Sequence, residues 1–266
     1  PKNFSAPVSD SENWPRLVQI AWQLHNDMGE LIEMKNFIVR PEGFTIPYNA
    51  EKIHGISTQR ALDEGIDLSF VLKEFNKSLS KSDFIVGHNI SFDINIMGAE
   101  FYRTQIETSL MNKKTIDTKV ESTDFCAIPG GRGGKFKWPT LSELHIKLFD
   151  EGFNEAHNAS ADVEATARCF LELIRIEVIP KNLVSMSDND FEAFQKNNKD
   201  KIQLIGLNIS PYDPLDKSET NEDYDLDLKN QIDNVSNNKD KLDNNVRLSF
   251  AHLHVHSQYS ILQATS

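Results

Sequence analysis

The run Phe84-Ile85-Val86-Gly87 is short, wholly apolar and closed by a glycine. It lies between two stretches with helical periodicity, and that arrangement narrows the choice of fold sharply. Upstream, Leu68, Val71, Leu72, Phe75 and Leu79 fall three and four residues apart and give residues 66–79 one apolar face. Downstream, a helix is expected over residues 93–106. A buried-strand pattern between helices is the signature of an α/β layer architecture. Further strands are expected at 17–24, 31–39 and 114–118, and further helices at 140–149 and 161–177. The first two strands are joined by Asn26-Asp27-Met28-Gly29, a hairpin signal.

At 266 residues and 39% hydrophobic content, the chain can bury one full core with a remainder. It has no apolar run of membrane-spanning length and no signal-peptide pattern, so a soluble, cytoplasmic protein without a membrane partner is expected. Cys126 and Cys169 match no metal or redox spacing and are expected to be reduced and structural.

Two segments carry chemistry. His157-Asn158-Ala159-Ser160-Ala161-Asp162 sets an imidazole five residues before a carboxylate. It leads into a helix marked by Val163, Ala167, Phe170, Leu171 and Ile174. Asp162 falls in the first turn, where the helix dipole favours a carboxylate, and His157 lies in the loop before it. Asp93 is a second acid at a helix start just past a strand end. Either acid alone would pass for an ordinary helix N-terminal residue. Together, two strand-to-helix junctions can converge on one cation pair, since ions about 4 Å apart must be held by several carboxylates.

These segments occur in order with Ile53-His54-Gly55-Ile56-Ser57, Thr115-Ile116-Asp117-Thr118 and Pro139-Thr140-Leu141-Ser142-Glu143-Leu144. The order resembles the DEDDh group of 3′→5′ proofreading exonucleases, and within it the epsilon-type exonuclease of bacterial DNA polymerase III, over about residues 14–177. The resemblance implies an α/β, ribonuclease H-like exonuclease fold with a mixed sheet flanked by helices. It implies two Mg²⁺ or Mn²⁺ ions held in part by Asp93 and Asp162, with His157 as the general base that takes a proton from water. It also implies DNA 3′ ends as substrate, with His54 near the terminal sugar; Phe92, read by itself, is expected either to pack beneath the site or to touch substrate. The net charge of −12 argues against a protein that coats nucleic acid. It weighs less against an enzyme that grips a few terminal nucleotides through metals.

One part of the family pattern is missing. The family's first motif, an Asp-x-Glu pair on the first strand, has no counterpart here. The nearest match, Asp10-Ser11-Glu12, sits in a polar loop with no apolar run before it and reads as a decoy. The simplest account is a sequence that begins just downstream of that motif. The sheet is then expected to lack its central first strand, metal binding to be weak, and catalysis by this chain to be crippled.

The exonuclease region is expected to span 1–180, followed by a helical tail at 181–210. A disordered Asp- and Asn-rich linker is expected at 211–247. Beyond it, His252, His254 and His256 alternate along a strand and so share one face. Residues 248–266 resemble the start of the PHP domain of bacterial DNA polymerase III alpha subunits. That resemblance implies metal binding by His254 and His256 at a site this chain leaves incomplete. It also suggests a proofreading domain tethered to its polymerase, with other replisome subunits as further partners. Among remaining features, Gly130–Trp138 mixes glycine, base and aromatic and reads as a loop able to touch nucleic acid. His88 and Asn89 are expected to shape a turn, and Asp117 to be structural. An RNA-trimming exonuclease of the same fold and a non-catalytic nucleic-acid-binding scaffold stand as alternatives.

Overall fold

The computed structural model describes residues 1–153, 159–203 and 248–257. His157, the expected linker at 211–247, the end of the expected tail at 204–210 and residues 258–266 lie outside the described residues.

Strand β1 (Leu17–Asn26), buried along its whole length, pairs antiparallel with β2 (Leu31–Ile38). The expected hairpin forms because Asn26 Oδ1 accepts the backbone N–H groups of Met28 (3.0 Å) and Glu30 (2.9 Å). Helices α1 (Tyr48–His54), α2 (Thr58–Glu64) and α3 (Leu68–Leu79) follow, the last capped by Asp67, which accepts the N–H of Phe70 at 2.9 Å. Next come β3 (Phe84–Gly87), α4 (Ile90–Thr104), β4 (Lys114–Asp117) and the single turns α5 (Thr118–Glu121) and α6 (Thr123–Cys126). Helices α7 (Leu141–Phe149), α8 (Ala159–Arg175) and α9 (Asp188–Asn197) precede the last strand, β5 (Leu248–Ser257).

The sheet order is β2-β1-β5-β3-β4. The central gap expected from the sequence is therefore filled from the far end of the chain: β5 runs antiparallel to β1 and parallel to β3. The physical reason is plain. Without β5, the facing edges of β1 and β3 would expose unpaired N–H and C=O groups in the middle of the fold. Of the residues likened to the start of a PHP domain, Leu248–Ser257 are thus part of this sheet.

Strand β5 also joins two cores. Its Leu253 and Val255 pack with Trp22, Leu72, Phe75, Ile94 and Met97 on the α3/α4 face. Its Phe250 packs with Phe84, Leu144, Phe170 and Phe194 on the α7/α8 face. Each such fully buried side chain contributes roughly 1.5–3 kcal/mol of apolar burial. Cys126 and Cys169 are buried free thiols, as expected. Among the described residues, no helix is long and apolar enough to cross a membrane.

Candidate nuclease site at the carboxyl ends of β3 and β4

Parallel pairing sets Gly87 opposite Asp117 at the ends of β3 and β4. The chain then enters α4 through Asn89, whose φ of 71° is left-handed, a conformation asparagine tolerates better than most residues. Asp117 Oδ1 secures this turn by accepting the N–H groups of Asn89 (2.8 Å) and Lys119 (3.0 Å). Lys119 Nζ in turn donates to Asn89 Oδ1. His88 completes the frame, with Nδ1 3.0 Å from Thr118 Oγ1 and Nε2 3.0 Å from the carbonyl of Pro139. A carbonyl only accepts, so Nε2 carries the proton. Burial pushes the His88 imidazole down to about 4, with the Lys119 charge adding and the Pro139 bond opposing. His88 and Asn89 shape the turn, as expected.

This frame delivers Asp93 into the first turn of α4, where it is 3% exposed. Burial raises its carboxyl well above the ordinary carboxylate range, the charges of Asp117 and Asp162 raise it further, and the backbone N–H of Val255 opposes them. Asp93 and Asp162 therefore lie within electrostatic reach of one another. Deeper in α4, buried Glu100 accepts the N–H of Leu17 (2.8 Å) and pairs with Arg16 (3.0 Å) and Arg103 (3.2 Å), anchoring the helix to the start of β1.

Asp162 arrives from the opposite face. Small residues let α8 approach the sheet: Ala21 of β1 packs against Ala159 and Val163. Ala21 is also the registered neighbour of His254. The first turn of α8 consequently lies over β5, and Asp162 Oδ2 stands 3.3 Å from His254 Nε2. Beneath this contact Gln23 Nε2 donates to Glu164 at 2.8 Å, tying β1 to α8.

The remaining expected site residues are placed as follows. His252 and His254 share the α8 face of β5 but do different things. His252 is fully buried, edge-on to Phe170 (5.4 Å), Phe250 (5.3 Å) and His25 (5.1 Å), and neither ring nitrogen has a hydrogen-bond partner. Burial first, and His25 second, push its imidazole well below the ordinary value. His256 lies in the same strand, opposite Gln19. His54 closes the turn after α1, its Nδ1 accepting the N–H of Ile56 at 3.1 Å, and burial lowers it to about 4. Phe92 packs against the α3/α4 core, with its ring 6.3 Å from that of Phe4. Asp10 and Glu12 are exposed in a turn, away from any strand.

Asp117 is structural, as expected, holding the turn through two N–H groups, while sequence reasoning passed over Lys119. The available signal was the equal offset of Gly87 and Asp117 at the ends of two strands that must pair in parallel.

Oxygen donors and a field of clustered negative charge suit a hard divalent cation, and Asp93 and Asp162 supply both. The fit is partial. Among the described residues, no group of three or more His, Cys, Asp or Glu side chains is placed to hold a metal ion. The central strand brings an imidazole, not a carboxylate, to Asp162.

Comparison with known proteins agrees with this architecture. A family model described as Exonuclease, of the RNase T type, matches residues 15–170. No curated protein matches the chain. Among solved structures, E. coli Exonuclease I bound to a dT13 oligonucleotide aligns with 20% identity and a TM-score of 0.53, over 71% of this chain and 43% of that one. Exonuclease I from Methylocaldum szegediense aligns with 22% identity and a TM-score of 0.52, over 68% of this chain and 40% of that one. The chain thus spans about two-fifths of the length of these structures, and at such identity they speak to the fold alone. The family match covers more than half of the sequence and contains both buried aspartates, and by it the chain belongs to the RNase T-type exonuclease family.

Proposed function

We propose that this chain is the 3′→5′ proofreading exonuclease region of a replicative DNA polymerase of the polymerase III alpha type, acting on single-stranded or frayed DNA 3′ ends. The observation that carries the nuclease reading is the pairing of Asp93 and Asp162. They come from two helix N-termini on opposite faces of the sheet, yet the Asp162 charge helps raise the Asp93 carboxyl above its ordinary range, after burial. The link to a polymerase rests on the wording of residues 248–260, and contacts with other replisome subunits follow from that link alone.

Asp93 and Asp162 are the residues that would hold Mg²⁺ or Mn²⁺; bound ions supply water activation and neutralise charge at the leaving oxygen. His157 is assigned as the base and must be neutral to accept a proton, so the rate falls as pH drops through its pKa. Asp117 and Lys119 hold the turn that aims Asp93, and His254 braces Asp162. Because β5 offers Asp162 an imidazole, turnover by this chain is expected to be low.

The test is incubation of the chain with 5′-labelled single-stranded DNA and a matched RNA, in Mg²⁺ and in Mn²⁺. The reading expects slow shortening of the DNA from its 3′ end, lost in Asp93→Asn and in Asp162→Asn. Internal cuts, release from the 5′ end, a preference for RNA, or turnover indifferent to both substitutions would each contradict it. Rapid turnover would contradict the low-activity part alone.

A further inference from the structure

Three tryptophans occur in the chain, at positions 14, 22 and 138. Trp14 and Trp22 are buried, whereas Trp138 is 60% exposed. The backbone around it is clamped on both sides. Before it, Lys137 N–H donates to the Ile128 carbonyl at 2.9 Å. After it, the Pro139 carbonyl is held by His88, and Thr140 forms a capping box with Glu143 at the start of α7. The Lys119 ammonium lies over the indole, 4.5 Å from the ring centroid. Lys119 is also the residue bonded to Asn89, four positions before Asp93. Trp138 is thus fixed to the same turn that aims Asp93, the candidate metal-holding carboxylate. The segment leading to it carries Arg132, Lys135 and Lys137 and no acid between residues 130 and 138, a local cationic run in a chain of net charge −12.

A rigid exposed aromatic, a cation over its ring and neighbouring positive charge match what unpaired nucleotides require: a π-face for the base and ammonium groups for the phosphates. We propose that Trp138 and Lys119 form a stacking platform for a base of single-stranded nucleic acid, with Lys135 along the adjoining phosphates, while Lys137, paired with Glu143 at 2.7 Å, holds the segment to α7. This deepens the exonuclease reading and rests on it for the direction in which the strand runs. Base stacking is tolerant of sequence, so the platform would grip an unpaired end whatever its composition. A duplex keeps its bases stacked on one another and offers no free face. The same device therefore favours a frayed terminus over a paired one.

The test uses the full chain in EDTA, so that binding is read without hydrolysis. As the one exposed tryptophan of three, Trp138 dominates the solvent-sensitive emission. An oligodeoxyadenylate of about twelve nucleotides is titrated in, alongside an abasic backbone of equal length and charge. The platform predicts quenching by the first and not by the second. It predicts about tenfold weaker binding for Trp138→Ala, read by anisotropy of labelled DNA, with most of the affinity kept in Trp138→Phe. In turnover assays Trp138→Ala should raise KM more than it lowers kcat. Equal quenching by the abasic strand, or unchanged affinity in a folded Trp138→Ala chain, overturns the proposal. The two readings fail separately. Quenching without hydrolysis removes the nuclease reading and leaves the platform, while hydrolysis with a KM unaffected by Trp138→Ala does the reverse.

Discussion

His254 Nε2 stands 3.3 Å from Asp162 Oδ2, an imidazole on the central strand meeting a carboxylate in the first turn of α8. The contact gives Asp162 an imidazole partner rather than a further oxygen ligand for the proposed cation. His254→Asp is therefore expected to tighten Mn²⁺ binding by about tenfold, since an added carboxylate brings both charge and a hard donor. Isothermal titration measures it; unchanged affinity would show that β5 does not face the metal position.

The central place of β5 predicts how a shorter chain behaves. A chain of residues 1–203 leaves β1 and β3 with bare edges between two helix layers and removes Leu253, Val255 and Phe250 from the two cores. It is expected to lose cooperative unfolding and to aggregate. A monomeric, cooperatively melting 1–203 chain would contradict this sheet order.

Burying His252 with both ring nitrogens unpaired is unfavourable. His252→Leu is expected to stabilise the fold by about 1–2 kcal/mol at pH 7. The sign of the pH effect follows from linkage. The imidazole is held well below its ordinary value in the folded chain, so the unfolded chain takes up its proton first. Stability contributed above that ordinary value is lost as pH falls below it. The gain from His252→Leu should therefore be larger at pH 5 than at pH 7 in urea unfolding, and an equal gain at both would refute the assignment.

Glu100 is fully buried, and two arginines and the Leu17 N–H converge on it. Removing it takes the carboxylate from two partly buried guanidinium groups and leaves the Leu17 N–H without its acceptor. Glu100→Ala should cost about 3–5 kcal/mol of stability, whereas surface pairs such as Lys201–Asp150 should cost under about 1 kcal/mol. Chemical denaturation of Glu100→Ala and Asp150→Ala checks the contrast.

Much of this fold was legible in local pattern. The strands expected at 17–24, 31–39, 84–87 and 114–118 all form, but only the first and third are apolar runs buried along their length; the other two are edge strands, more open to solvent. The stripe from Leu68 to Leu79 marks α3. Helices α1 and α2 went unseen, since each is 7 residues long and buries few side chains. The alternation of His252 and His254 correctly put both on one face, but not what that face meets. Position Ala21↔His254 joins residues more than two hundred apart, across a long polar segment, and no periodicity reports such a pairing. Asp117 reads from the sequence as a structural strand-end acid, which it is, but which turn it holds follows only once β3 is laid beside β4.

The account's central claim is that Asp93 and Asp162 act as one unit on a shared cation. Its most direct test is Mn²⁺ binding, followed by electron paramagnetic resonance, for the wild type, Asp93→Asn, Asp162→Asn and the double variant. Residues acting as a unit give strongly non-additive effects. Each single substitution should remove most of the affinity, and the double should lose little more. Additive losses, or a single substitution that leaves binding intact, would mean the two carboxylates do not meet at one ion.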